Sequence, residues 1–364
     1  MAKKVFIAAT RQNDGKTTVS LGLMAAFKER FEKIGFIKPI GQRYLVEQGY
    51  NIDEDSYLIE EIFGIKASLK DMSPIAIEKD FTRKYIKNPD RRPLQKQIMD
   101  SFEKIAQDND MVVIEGTGHA GVGSVFDMCN ADVASMLGAK VVIISEGGIG
   151  RPIDEIMLSV PLFKSKGVEI AGVIINKVKA DKYEKVNELV RESLKQHSLD
   201  VLGVMPYLRI LDMPTMAHMQ DEFKAKFISG SKTNINKIIN HIVVATARPQ
   251  VTLRSFNEKL LVVVSGDRDE LIKYLLNESR RRAKVTDLLC GFVFTCGISP
   301  GYSLRKALER NQIPAIVVEQ STYEAVKRID SMIVKIRPQD KDKIDIILRL
   351  ARKHIEIDKL LSLI

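Results

Sequence analysis

The chain has 364 residues, enough for two or three domains that each bury a core of their own. With 45% hydrophobic and 28% charged residues and no tryptophan, its composition is that of a folded globular protein and argues against disorder. Lys and Arg (56) exceed Asp and Glu (47) for a net charge of +9. The basic residues are dispersed (Lys179, Lys182, Lys185; Lys224, Lys226; Arg280 to Arg282), which reads as a solvated surface and argues against a nucleic-acid partner.

Apolar runs bounded by glycine or proline predict strands at 4–9, 34–39, 111–115, 140–145, 170–176 and 201–205, with helical stretches between them. Continuous Val/Ile strands alternating with 3.6-period segments predict an α/β fold: a mainly parallel sheet with helices on both faces. The region 51–110 reads as mostly helical, with helices near 53–63 and 93–107 and a break at Asn88-Pro89. Residues 208–233 read as a Met-rich, turn-rich excursion, and the β-branched run 235–245 as the entry to something new. A second series follows: strands at 260–265, 287–295 and 315–319, helices at 269–281, 303–310 and 323–329, and a last helix at 340–356. Two domains are expected, 1–225 and 226–364, with the boundary falling somewhere between Asp212 and Ser255.

The three cysteines (Cys129, Cys290, Cys296) have no metal-ligand spacing and are expected reduced and partly buried. The run Val5 to Ala9 is too short for a signal peptide and no stretch reaches the length of a membrane span, so a cytoplasmic protein without a membrane partner is expected. His119, His218 and His241 stand apart from one another and from cysteine, and spacing alone assembles no metal site or triad from them.

The stretch with the most chemistry is Ala8-Ala9-Thr10-Arg11-Gln12-Asn13-Asp14-Gly15-Lys16-Thr17-Thr18, between an apolar strand and a helix. Gly15-Lys16-Thr17 ends a Walker A pattern: loop N–H groups cradle phosphates, the Lys16 ammonium reaches the β and γ oxygens, and the Thr17 hydroxyl can ligate Mg²⁺. Thr10 stands where that pattern has its first glycine. Lys38 closes the second strand, where a lysine leaving the core needs an anion or else is simply a surface residue at the strand exit. Glu115 closes the third, in the manner of a Walker B acid, and the glycines of Gly116-Thr117-Gly118 either let backbone approach a ligand or make a tight turn. Asp53 and Asp55 open a helix, where capping and metal ligation both suit an acid. Asn176 ends a later strand and suits either an adenine edge or a turn. In the second series, Ser265-Gly266-Asp267-Arg268-Asp269 makes a strand-to-helix turn able to bind an anion or cap its helix, without a candidate nucleophile.

Together, the loop from Ala9 to Thr17, Lys38-Pro39, Glu115-Gly116-Thr117-Gly118 and Asn176 resemble the dethiobiotin synthetase branch of the P-loop proteins, over roughly residues 1 to 206. That branch also carries Thr at the first Walker A position. The resemblance implies ATP and Mg²⁺ as cofactors, a nucleotide site of Thr10, Arg11, Asn13, Asp14, Gly15, Lys16, Thr17, Thr18, Gly116 and Gly118, and Asn176 on the adenine. It implies a metal held by Thr17, Asp55 and Glu115, with Lys16 and Lys38 as the catalytic pair. Gly41-Gln42-Arg43 stands where that family has a serine-containing substrate loop, so its diamine is not the expected substrate.

A nearer resemblance is carried by Thr18-Val19-Ser20-Leu21-Gly22, Lys38-Pro39-Ile40-Gly41-Gln42 and Gly203-Val204-Met205-Pro206, which look like the N-terminal domain of long-form phosphotransacetylases. There a DRTGG domain follows, and Gly266-Asp267-Arg268-Asp269 is similar to it, with Asp-Arg present and Thr-Gly-Gly not. The transacetylase catalytic domain is expected to be absent, leaving a free-standing regulatory front end. Arg11 lies five residues before Lys16, the spacing at which deviant Walker A ATPases place a lysine that reaches the partner's nucleotide, so a homodimer or higher oligomer is expected. The expected function is Mg-ATP binding with slow ATPase or phosphoryl-transfer activity, regulatory and tied to acyl or phosphotransacetylase-type metabolism. The alternatives are a non-catalytic nucleotide or metabolite sensor, with a regulatory partner or metabolite on the C-terminal domain, and an ATP-dependent carboxylating or amidating ligase.

Overall fold

The computed structural model describes residues 2–230, 234–246, 248–249, 259–282 and 288–364. They form two compact units, Met1–Tyr207 with Lys341–Ile364, and Leu208–Asp340.

In the first unit, β1 (Lys3–Ala9), β2 (Ile34–Ile37), β3 (Met111–His119), β4 (Lys140–Glu146), β5 (Ile170–Val178) and β6 (Val201–Pro206) make one sheet in the order β6-β5-β4-β1-β3-β2. Every pairing in it is parallel. Val5 to Ile7, Val112 to Ile114 and Val141 to Ile144 are fully buried, as strands covered on both faces must be. From β1 the chain passes over one strand position to β2, and β3 later fills the gap. That reversal opens a crevice at the carboxyl end of β1, where ligands of such sheets bind.

Helix α1 (Lys16–Lys28) starts in that crevice and is buried without a break from Val19 to Phe27. A helix apolar all round needs cover on the side away from the sheet. The helix Lys341–His354 supplies it, and the fit is close enough that a Cβ on Gly22 would stand 2.2 Å from the Cβ of Ala351. The chain then joins the edge of the sheet, with Glu356 N donating to Leu202 O at 2.7 Å.

Between β2 and β3 lie the expected helices, α2 (Glu54–Phe63) and the helix Arg92–Gln107, and also a hairpin of Tyr44–Glu47 with Tyr50–Asp53 that was not expected. Among the described residues no helix is long and apolar enough to cross a membrane.

The second unit holds β7 (Phe227–Ser229), β8 (His241–Val244), β9 (Leu260–Ser265), β10 (Leu289–Thr295) and β11 (Ala315–Val317) in the order β7-β11-β10-β9-β8. Its pairings are parallel except β7 with β11. One face packs Leu271, Leu275, Phe292, Phe294 and Leu308 together, the other Met216, Met219, Leu261, Val293 and Ile316.

The compact units divide the chain at 207/208 and 340/341, not at 225/226. The excursion after residue 207 belongs with the second unit because Met216 and Met219 fill its core and Phe227–Ser229 forms its edge strand. The last helix, expected with the second unit, belongs with the first, since its apolar stripe of Ile344, Ile347 and Ala351 is spent on α1. Asp287, the expected first residue of a strand, and Ser255, the far limit of the boundary window, lie outside the described residues.

Candidate functional site

The loop leaves β1 with Thr10 N bonded to Ile144 O at 2.8 Å, and turns through two left-handed residues, Asn13 (φ 70°) and Gly15 (φ 98°). Gly15 is required twice over, by that φ and because a Cβ would stand 2.1 Å from Asn176 Nδ2. Thr10 ties the loop down. Its hydroxyl donates to Asp14 Oδ2 at 2.8 Å and lies 2.9 Å from Ser145 Oγ, and the same Asp14 oxygen accepts Arg11 N at 2.8 Å. Burial pushes the Asp14 carboxyl above its ordinary range.

From the other side Asn176 Nδ2 donates to Asp14 O and Lys177 Nζ to Asn13 O, both at 2.9 Å. Asn176 Oδ1 accepts its neighbour's N–H at 2.9 Å, so both ends of the carboxamide are engaged on backbone next to the loop. Arg11 turns outward into an ion pair with Glu155, on the helix Gly150–Ser165.

Lys16 is the first residue of α1 and only 8% exposed. Its ammonium donates to Gly118 O at 3.1 Å and Arg11 O at 3.4 Å, and burial lowers its pKa. Thr17 Oγ1 donates to Glu115 Oε1 at 3.4 Å, and Thr18 follows, half-buried. Gly116 serves packing, since a Cβ there would stand 2.7 Å from both Asn130 Oδ1 and the Phe6 ring. Asn130 in turn staples β3 through Thr117 N, Thr117 O and His119 O at 2.7–3.1 Å.

Beside α1 sits a buried charge cluster. Lys38 Nζ donates to an Asp55 carboxylate oxygen and lies 3.1 Å from Asp53 Oδ1 and 3.5 Å from Glu115 Oε1. Burial alone would pull the ammonium down, but the three carboxylates hold it well above the ordinary lysine value. Burial pushes the Glu115 carboxyl up to about 7 against the pull of Lys38, and it raises Asp53 as well. Among the described residues Glu115 Oε2 has no hydrogen-bond partner. Among the described residues no group of three or more His, Cys, Asp or Glu side chains is arranged to hold a metal ion unaided.

Thr10, Arg11, Asn13, Asp14, Gly15, Lys16, Thr17, Gly118, Lys38, Asp55, Glu115 and Asn176 are thus linked around one crevice. Sequence reasoning named Asp53, with Asp55, as an acid opening a helix; it caps α2, accepting Asp55 N at 2.9 Å, and also pairs with Lys38. It missed Glu155 as the partner of Arg11, Asn130 behind Gly116, and the bond of Ser145 to Thr10. Only Ser145, a polar letter ending a strand, carried a signal. In the second unit the turn after β9 is a close approach: a Cβ on Gly266 would stand 2.0 Å from Ile298 O, while Asp267 and Arg268 are exposed.

Residues 3–215 match the family model described as an AAA domain, and residues 218–332 match the DRTGG domain. A phosphate acetyltransferase from Nitratidesulfovibrio vulgaris is 24% identical over 369 residues, 99% of this chain and 51% of that protein. The chain therefore spans about half the length of the curated relatives it matches end to end. An ATP-dependent dethiobiotin synthetase BioD from Bacillus subtilis subsp. natto is 27% identical over 218 residues, 59% of this chain and 91% of that protein. Among solved structures, the septum site-determining protein MinD complexed with Mg-ADP from Pyrococcus horikoshii OT3 aligns at 17% identity and TM-score 0.36, over 58% of this chain and 84% of that one. By its first 215 residues the chain belongs to the AAA-domain family of P-loop proteins related to dethiobiotin synthetase, and a DRTGG domain follows.

Proposed function

We propose that the first unit binds Mg-ATP at the carboxyl ends of β1 and β3 and turns it over slowly, in a regulatory role tied to acyl or phosphotransacetylase-type metabolism. One observation carries this reading: the buried Lys16 at the start of α1 interacts electrostatically with Glu115, whose Oε2 is buried and, among the described residues, without a hydrogen-bond partner. Loop N–H groups at the positive end of α1 would receive phosphate oxygens, and Lys16 would exchange the carbonyls of Gly118 and Arg11 for them. A hard divalent cation fits the donors present: the Thr17 hydroxyl and the Asp55 and Glu115 carboxylates, with phosphate oxygens and water filling the rest of its shell. Bound there, it would neutralise charge on the phosphates. Lys16 would hold charge on the transferred group, and Lys38 stands on the acceptor side. The chemistry asked of the chain is positioning and electrostatics, with no general base required.

The names of the relatives support the two halves of the reading, ATP use from the dethiobiotin synthetases and the metabolic link from the phosphate acetyltransferases. The DRTGG domain would carry the regulatory ligand or partner. Calorimetry with Mg-ATP and ADP, followed by phosphate release with and without amine and carboxylate acceptors, tests the proposal. Binding with slow, acceptor-independent release supports it. Binding without release favours the sensor, and acceptor-dependent release the ligase. No nucleotide binding, with Lys16→Ala identical to wild type, removes all three.

A further inference from the structure

The cluster around Lys38 holds more than an acceptor-side lysine requires. Three buried carboxylates, Asp53, Asp55 and Glu115, converge on one ammonium. Two of the three, Asp55 and Glu115, are the acids fitted to hold the divalent cation, and the Glu115 oxygen nearest Lys38 is the one that the Thr17 hydroxyl also reaches. A cation on Asp55 and Glu115 would stand against the Lys38 ammonium at short range, and like charges in a buried site repel strongly. A cation drawing on Glu115 Oε1 and on the Asp55 oxygen that Lys38 holds would compete with the ammonium for both. Asp53 offers a way out: it is fixed as the cap of α2, lies 3.1 Å from Lys38 and is not among the metal donors.

We propose that Lys38 competes with a divalent ion for Asp55 and Glu115: its ammonium neutralises these carboxylates when no divalent ion is bound, and withdraws from them when one binds, remaining paired with Asp53. Metal binding and release of Lys38 toward the acceptor side are then one event, so the lysine becomes available only in a loaded site. This rests on the metal reading proposed above.

The test uses the full-length chain and Mn²⁺ alone, without nucleotide, read by electron paramagnetic resonance and by thermal unfolding. Wild type should bind Mn²⁺ weakly, and Lys38→Met at least about tenfold more tightly, with a melting temperature that rises with Mn²⁺ as mass action requires. A folded Lys38→Met with Mn²⁺ affinity equal to wild type overturns the proposal. Should Lys38→Met fold only with Mn²⁺ present, the proposal is supported. A second measurement needs no variant at Lys38: the ¹⁵N-lysine ammonium signal of wild type should shift when Mg²⁺ is added to protein holding ATP, and an unmoved signal overturns the proposal. Calorimetry on the same sample separates the two levels. If Mg-ATP does not bind at all, the nucleotide reading has failed; if it binds while the Lys38 signal stays still, only the exchange has failed.

Discussion

The guanidinium of Arg11 is paired with Glu155, the carboxylate that also accepts Arg151 Nε at 3.1 Å, so the arginine expected from its spacing to reach a partner's phosphate is held within its own chain. Beside the pair a groove of about 350 Å³ runs between Thr10, His119 and the exposed Leu158. The ion pair is partly solvated and worth about 1 kcal/mol or less, little enough for a nucleotide to displace. Glu155→Ala should strengthen nucleotide-dependent self-association several-fold, and Arg11→Ala should weaken it, both read by light scattering with Mg-ATP. Were both variants to match wild type in association, nucleotide affinity and hydrolysis, the trans role of Arg11 would be lost.

Lys16 makes its hydrogen bonds to two carbonyls and carries a pKa lowered by burial, so the folded chain gains little from its charge. Lys16→Ala should leave the unfolding midpoint within a few degrees of wild type. Removing a hydrogen-bonded charge from a buried anion site costs about 2–5 kcal/mol of binding, so ATP affinity should fall at least about thirtyfold by calorimetry. A large loss of stability with affinity preserved would make Lys16 a structural residue.

The parallel sheet was legible because its strands are apolar runs, several of which lead into a polar letter, and Lys38, Glu115 and Asn176 are three such letters. The partners of those letters were not legible. Glu155 lies 144 residues from Arg11 and reaches it from a helix whose sequence shows only that it is amphipathic. Asn176 shows the same limit in another form: a strand-end carboxamide suits an adenine edge or a turn, and only the fold reveals that its amide fills the space a side chain at Gly15 would need. Likewise the stripe Ile344, Ile347, Ala351 announces a docked helix without naming what it docks on.

Stability should depend on pH in the direction set by buried carboxyls. Glu115 is raised from 4.5 to about 7 by burial, so the native state binds this proton more tightly than the unfolded chain does. Its contribution therefore falls as pH rises from about 4.5 to about 7 and is level above, a loss of about 3 kcal/mol at most. Asp14 and Asp53, raised by burial, act in the same sense. In urea titrations without nucleotide, the stability of wild type relative to Glu115→Gln should decline across that window. A difference that is flat, or grows with pH, contradicts the burial argument.

The contact of α1 with the returning helix can be tested by a double-mutant cycle, because the two Cβ positions compete for one space. Alanine normally stabilises a helix by up to about 1 kcal/mol over glycine, so Gly22→Ala would be a gain if nothing opposed it. Its Cβ would stand 2.2 Å from that of Ala351, and neither belongs to a flexible side chain that can swing away. Gly22→Ala should therefore cost about 1–3 kcal/mol, the usual range for overpacking. Ala351→Gly alone should cost about 1 kcal/mol through helix propensity. The two together should be more stable than their separate effects predict by about 1–3 kcal/mol, the coupling expected of residues in contact. Additive effects in urea unfolding would mean that the helix Lys341–His354 does not pack on α1 in solution.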